Sequence, residues 1–403
     1  STFKLKMIKV YPRKKLDFTY KNILRALRYS LNKGEDVTED IERLWPNENV
    51  IVGLSVRSIF DSLLSQKEYK SGSEIIMSGI TIPDMLKIVK TYDLNVVPVD
   101  INMKTLQVDE AAVANAITDK TVMVVIAHLF GSRMDMKPVY NALVDRPDIL
   151  IIEDCAQAYG GINEYTMQSK TDLSMFSFGS IKSITALGCA VGFTSNYELY
   201  STIKKRFSEY DRVNNKQFRS KVFKYFLLKI LSEPFFYGIF ISICKILKID
   251  YDKAIISTVR NFPSNELLDS IRMYPSYSQL KYLLYRLTNV GEDHFSKRIK
   301  VGDYVSERLQ NTNVHGVDND THSYWLFPIR TEKRETLVKA LREAGFDATF
   351  TSTQLIPIKP SNNSLNEPEM CNDYMSETIY LPVYESLPKN KLDQLISVIN
   401  STV

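Results

Sequence analysis

Residues 122–155 read VMVVIAHLFGSRMDMKPVYNALVDRPDILIIEDC. Two short runs of branched aliphatic residues, VMVVIA and ILIIE, flank a window, MKPVYNALV, whose apolar residues recur at helical spacing. Neither run alternates apolar with polar residues, so both faces of each strand must be covered, as in a parallel β-α-β unit. Both runs also end in polar side chains: His128 after the first, Asp154 and Gln157 after the second. The carboxyl ends of parallel strands are where layered α/β proteins place ligands.

The alternation continues outward. Upstream, NVIVGL leads into SVRSIFDSLLSQ, EIIMSG into IPDMLKIVKTY, and NVVPVD into DEAAVANAI, which predicts a layered α/β domain over about residues 50–195. Downstream, residues 175–196, MFSFGSIKSITALGCAVGFTSN, form an apolar, strand-like run with a single charged side chain, Lys182. After about residue 275 the pattern changes to one long helix (YSQLKYLLYRLTNVGEDHFSKRIKVGDYVSERL), a strand SYWLFPIR, a helix ETLVKALREAG and a last helix NKLDQLISVI. That order predicts a small α+β domain. The expected division is 1–270 for the large domain and 271–403 for the small one.

Composition narrows the classes. The 403 residues are 44% hydrophobic and 24% charged, with 51 basic against 47 acidic side chains, too even a balance to point to nucleic acid. Cys155, Cys189, Cys244 and Cys371 lie far apart with no CxxC pair, which argues against a metal cluster or a disulfide framework. The first residues, STFKLKMIKVYPRKKLDF, lack the apolar core of a signal peptide. A cytoplasmic protein is the expectation. No GxGxxG follows a predicted strand, which disfavours a nicotinamide oxidoreductase.

The interval 215–255 stands apart. Its residues 216–253 carry eight Lys/Arg against three Asp/Glu, interleaved with aromatic and aliphatic residues. Wound as a helix, Val222, Phe223, Phe226, Leu227, Ile230 and Leu231 share one side and Lys221, Lys224 and Lys229 the other. The following apolar run, PFFYGIFISIC, has 11 residues, where a bilayer span needs about 20. Two readings stay open: a buried helical hairpin, or an element that contacts a membrane surface or a lipid-bearing substrate from the inner face.

Lys182 follows Asp154 by 28 residues. Pyridoxal phosphate chemistry needs this pair of residue types: an amine to form a Schiff base and an acid that keeps the pyridine nitrogen protonated. A stretch of small, uncharged residues suits such a lysine, because burial favours the neutral, nucleophilic amine.

In this order and at these spacings, AHLFGSRMDMKPV, IIEDCAQAYGG and FSFGSIKSITALGCAVGFTSN resemble the core of the DegT/DnrJ/EryC1/StrS family of pyridoxal-phosphate-dependent sugar aminotransferases. GSEIIMSG, SIRMYPSYSQLKYLLYRL, HSYWLFPI and TIYLPVYESL are similar to other parts of the family, so the resemblance covers nearly the whole chain except 215–255. It implies an aspartate-aminotransferase-like (type I) fold with a large mixed-sheet α/β domain, and transfer of an amino group from glutamate to a keto or aldehydo sugar. Surface polysaccharide, lipopolysaccharide or glycolipid biosynthesis would be the setting, and a homodimer the assembly. The sugar could be an acid, or linked to nucleotide or lipid. A non-catalytic member acting in regulation or at a membrane is the alternative.

The resemblance makes Lys182 the Schiff-base lysine, Asp154 the acid facing the pyridine nitrogen and Gln157 the amide near the ring hydroxyl. Arg57, Ser58, Ser177 and Ser270 are the expected phosphate-side residues, with Ser270 and Arg272 in a segment expected to cross to the partner subunit. His128 and His322 are candidates for contact with substrate. Related deoxysugar dehydratases carry His where this chain has Lys182. Departures from the family pattern are Val56-Arg57 for a Gly-Thr turn, Gly179 for His, Leu187-Gly188-Cys189-Ala190 for GEGG, Ser270 for Asn, and the loss of a ring-stacking aromatic near Thr81.

Overall fold

A computed structural model describes residues 9–403 except 33, 103, 165, 260–265, 313, 351–353 and 362–366, with only the backbone for 256–259. Seven strands form the central sheet: β1 (Asn49–Gly53), β2 (Glu74–Ser78), β3 (Asn95–Val99), β4 (Thr121–Ala127), β5 (Leu150–Asp154), β6 (Leu173–Ser177) and β7 (Ala190–Thr194), in the order β1-β7-β6-β5-β4-β2-β3. Neighbours from β3 to β6 run parallel, and β7 is antiparallel to both β6 and β1. Both faces are covered, as the unalternating runs require. Met123 and Val125 of β4 pack into one core, and Val124 and Ile126 into another on the opposite face.

The run 175–196 is not one strand. It is the end of β6, a loop carrying Lys182, and β7. Ile184, Leu187 and Cys189 have positive φ, as does Gly188 at +156°, so the backbone leaves the extended region and reverses. This reversal makes the sheet mixed. It also lifts Lys182 off the sheet to the carboxyl ends of β5 and β6.

Helices α1 (Tyr20–Leu31), α2 (Val56–Leu64), α3 (Asn215–Leu231), α4 (Pro234–Ile246), α5 (Tyr251–Val259), α6 (Tyr277–Thr288) and α7 (His294–Ser306) surround this domain or lead out of it. The single helix expected over 277–309 is two, α6 and α7. Asn289 caps α6 at its C-terminus, and Gly291 follows in the break. Leu280, Tyr282 and Leu283 of α6 pack into the large core, while Val305 of α7 packs with the C-terminal residues.

In the C-terminal part, β8 (Pro328–Arg330) pairs antiparallel with β9 (Thr378–Tyr380) beside α8 (Arg334–Glu343) and α9 (Lys389–Thr402). Of the expected strand SYWLFPIR only Pro328–Arg330 is a strand. Its first half is tied to a loop of the large domain, through Ser323 N–H to Gly131 O at 2.8 Å and Leu326 N–H to Phe130 O at 3.1 Å. Tyr324 turns the chain with a φ of +48°. Those two bonds bring Trp325 to Lys182.

Helix α3 follows the expected faces only in part, with Val222 buried and Lys224 exposed as that division implies. Phe218, Val222, Tyr225 and Lys229 are buried, while Phe223 is 59% and Leu227 45% exposed. Basic and apolar residues are mixed around the helix, so spacing does not single out an inner stripe; the packing against α1 and α6 selects it. Lys229 extends its stem over Phe18 and donates to Leu16 O at 3.4 Å. At Ser232–Glu233 the chain bends by 91° into α4.

Candidate active site

The site starts from the acid. Asp154 ends β5, and Ala156 N–H donates to its Oδ1 at 3.0 Å, a turn that holds the carboxylate off the sheet end. Burial raises its pKa, opposed by that hydrogen bond and by Lys182. Across from it, the Lys182 amine lies 4.1 Å from the centre of the Trp325 ring, whose Nε1–H is anchored on Ile181 O at 3.0 Å. Burial pulls the Lys182 pKa down to about 7; Asp154 opposes that shift and Arg57 adds to it. The lysine is therefore poised between ammonium and free amine at neutral pH.

Gln157 accepts from Phe130 N–H at 2.8 Å through its carbonyl oxygen, which commits that oxygen and leaves the amide nitrogen as its donor. On the other side lies a cavity of about 420 Å³ lined by Ser55, Arg57, Ser177, Lys221, Ser270 and Gln279, among others. The N-terminus of α2 opens here, capped by Ser55, which accepts from Ser58 N–H at 3.1 Å. The expected Ser58 is buried beneath this cap, its hydroxyl bonded to Ser55 at 2.9 Å, and the cavity wall carries Ser55 in its place. Arg57 is held by Asp84 at 2.9 Å.

Lys221 was not among the sequence candidates, since the helical pattern placed it on the outer face of 215–255. It reaches the cavity from α3 with no acceptor against it among the described residues, and burial lowers its pKa to about 8, Arg57 contributing. Gln217 of the same helix and Gln279 of α6 complete the wall. Gly188 makes the approach sterically open: a Cβ there would sit 2.5 Å from Gln279 Nε2.

Other expectations are corrected. His128 is buried away from the cavity, with Nε2 2.8 Å from Glu153 Oε2 and Nδ1 accepting from Met134 N–H at 3.1 Å. Both ring nitrogens are committed, because Glu153 projects to the opposite side of β5 from Asp154. His322 is likewise spent on His315 O and Tyr324 N–H, stacked on Tyr324 at 4.1 Å and driven to a pKa of about 4 by burial. Trp325, three residues on, faces Lys182 in its place. Ser270 lines the cavity, and Arg272 forks onto the buried Asp61 at 2.9 and 3.0 Å.

The sequence profile of the DegT/DnrJ/EryC1/StrS aminotransferase family matches residues 56–227 and 282–400. The chain belongs to this family. The DegT/DnrJ/EryC1/StrS profile skips 228–281, which contains α4 and α5. A dTDP-3-amino-3,4,6-trideoxy-alpha-D-glucose transaminase of Micromonospora megalomicea subsp. nigra is 22% identical over 76% of this chain and 72% of its own. A dTDP-3-amino-3,6-dideoxy-alpha-D-galactopyranose transaminase of Aneurinibacillus thermoaerophilus is 23% identical over 82% and 78%. A match to an L-glutamine:2-deoxy-scyllo-inosose aminotransferase of Micromonospora echinospora, 39% identical, spans 22% of this chain and only 21% of that protein.

In fold, the chain resembles the aminotransferase TlmJ of Streptoalloteichus hindustanus (TM-score 0.67, 13% identity, 98% of each chain). It also resembles the GDP-4-keto-6-deoxy-D-mannose-3-dehydratase of E. coli with bound hydrated pyridoxal phosphate (TM-score 0.66, 16% identity, 96% of this chain and 99% of that one). The fold is thus that of the pyridoxal-phosphate enzymes of the aspartate-aminotransferase type. The cofactor of this family member is pyridoxal 5'-phosphate, and the residues present fit it. A half-buried lysine ammonium beside Arg57, three serine hydroxyls and a helix N-terminus suit a phosphate, and Asp154 and Lys182 suit the ring and its aldehyde.

Proposed function

We propose that this aminotransferase moves an amino group from glutamate onto a keto or aldehydo sugar. The observation that carries it is the Lys182 amine, enclosed between Asp154 and Trp325 with its pKa at about 7. When bound, the cofactor supplies an electron sink for the carbon that loses its proton. Lys182 would attach it, and, once released as a neutral amine, would take that proton and return it as the ammonium. Asp154, in a desolvated setting that penalises a lone carboxylate, gains by facing a protonated ring nitrogen. Gln157 donates to the ring oxygen. Arg57, Lys221, Ser55, Ser177 and Ser270 would hold the phosphate. A lysine at this position distinguishes the chain from the dehydratases that carry histidine there.

The sugar specificity of the relatives supports a nucleotide-linked acceptor, and products of this kind feed polysaccharide or glycolipid assembly at the inner face of a membrane. The test is a pair of half-reactions followed by cofactor absorbance. Glutamate should convert the holoenzyme to the amine form, and a keto-sugar nucleotide should restore it. Conversion by neither would sink the reading. Asp154→Asn should retain colour but lose most of the rate.

Two further parts of the reading rest on surfaces. A homodimer is supported by the family and by the prevalence of twofold assemblies. Membrane contact through 215–255 is supported by exposure: ten of the seventeen large hydrophobic residues exposed among the described residues lie between Phe223 and Ile249. Exposed Lys216, Lys224, Lys245 and Lys248 share this region, a pairing that suits anionic headgroups over an apolar interior.

A further inference from the structure

The side of Lys182 remote from the phosphate cavity carries a second feature. The N-terminal segment is pinned by Tyr11 N–H to Gly345 O at 2.8 Å and Asp347 N–H to Tyr11 O at 2.9 Å, and then enters the site. There Arg13 pairs with Asp347 and Asp252, and Asp17 accepts from Arg298, His294 and Ile184 N–H. Between them lies Lys14. Its Nζ is closed off from solvent, has no hydrogen-bond acceptor among the described residues, and sits 3.7 Å from the centre of the Trp325 ring. The same indole carries Lys182. Lys14, Lys182, Ser183, Arg298 and Trp325 are on the wall of one small cavity of about 30 Å³.

A buried ammonium with a π face and no hydrogen-bond acceptor is unfavourable, since the ring and the carboxylates of Asp17 and Glu385, both shared with Arg298, return just part of the lost hydration. Burial, Lys182 and Arg298 push the Lys14 pKa well below its ordinary value, and Asp17 and Glu385 oppose them without cancelling the shift. An anion brought into the cavity reverses this, and the cavity has room for little more than a carboxylate. The chemistry of transamination demands such an anion here: an amino-acid donor carries its carboxylate on the very carbon whose amino group is lost, so the carboxylate must lie beside Lys182. Arg13 and Arg298 already hold carboxylates of this chain. Resting on the transaminase reading above, we propose that Lys14 is the receptor for a substrate carboxylate, foremost the α-carboxylate of the amino donor. It is a specificity residue contributed by the N-terminal segment.

The test uses the holoenzyme with Lys14→Met, which keeps the length without the charge, and Lys14→Arg, which keeps the charge. In the donor half-reaction, Lys14→Met should raise the half-saturating glutamate concentration by about tenfold or more, a charged hydrogen bond's worth. Lys14→Arg should recover part of it. 4-Aminobutyrate, whose amine-bearing carbon has no carboxylate, should react equally poorly with wild type and Lys14→Met. A defect confined to the acceptor half-reaction, seen with an acidic keto-sugar and absent with a neutral one, also supports a carboxylate receptor and assigns the carboxylate to the sugar. Unchanged saturation in both half-reactions, with cofactor content and circular dichroism intact, overturns the proposal. A readout independent of turnover is quenching of Trp325 by glutarate. Quenching in wild type that is lost in Lys14→Met upholds the receptor even if no transamination occurs, and equal quenching in both rejects it.

Discussion

Lys182 shows how burial shapes a single residue for chemistry. Moving its pKa from 10.5 to about 7 means that the folded chain disfavours the ammonium by on the order of 5 kcal/mol. Between those two values the unfolded chain binds a proton that the folded chain lacks, so stability rises with pH through that window, and below about 7 the full penalty is present. Lys182→Met in the cofactor-free protein should therefore raise the melting temperature most at about pH 6 and progressively less towards pH 10; melts at several pH values check this, and a gain that grew with pH would contradict it. The same substitution, or Lys182→Ala, should lower transamination on the order of a thousandfold with the fold retained. Circular dichroism and the half-reactions measure both. Attachment of pyridoxal phosphate to the wild-type apoprotein should speed up as pH rises towards 7 and then level off, because only the neutral amine reacts.

At the scale of the element, α3 has two working faces. Its inner stripe delivers Lys221 to the cavity where the family's Gly-Thr turn is replaced by Val56-Arg57, and Arg57 is partly neutralised by Asp84. Lys221→Met should weaken pyridoxal phosphate binding by about tenfold or more, as expected for a lost charge-assisted contact, while leaving pyridoxal, which has no phosphate, unaffected. Fluorescence titration distinguishes the two ligands, and equal losses for both would reject a phosphate contact. The outer stripe, continued along α4, is the proposed membrane face. Phe223→Ser with Phe236→Ser should halve or better the fraction sedimenting with phosphatidylglycerol vesicles at low salt, each nearby lysine adding about 1 kcal/mol to the attraction. Both side chains are exposed, 59% and 45%, so the fold should not suffer. Equal sedimentation of wild type and variant would assign the stripe to another partner.

For the whole molecule, the site is assembled from five regions of the chain: the sheet ends, the β6–β7 loop, α3, the stretch from Ser270 to Gln279, and the segment around Trp325 carried by the C-terminal part. Two backbone hydrogen bonds at Gly131 and Phe130 dock that last segment. Trp325→Ala should therefore impair Lys182 without touching the cofactor's phosphate, and its effect should appear as a raised pH midpoint for cofactor attachment. Opening the indole lid lets water reach the amine and returns its pKa towards 10.5. A homodimer should be found by sedimentation at assay concentrations. An active monomer would show that Ser270 and Arg272 of a single chain suffice for the site.

Much of this was legible in the chain alone. Buried parallel strands declare themselves by unalternating aliphatic runs, and Asp154, Gln157, Ser177 and Lys182 stand out because each is a polar residue at or beyond the end of such a run. What remained hidden depends on which face packs. α3 mixes basic and apolar residues on every side, so only its contacts with α1 and α6 turn Lys221 and Lys229 inward and leave Phe223 outside. His128 and His322 sit where a ligand could be, and only the partners met in three dimensions, Glu153 for one and the backbone of His315 and Tyr324 for the other, show that their nitrogens are spent. Local pattern determines where strands end and which polar residues lie there; long-range packing decides which of those residues keep a free atom for chemistry.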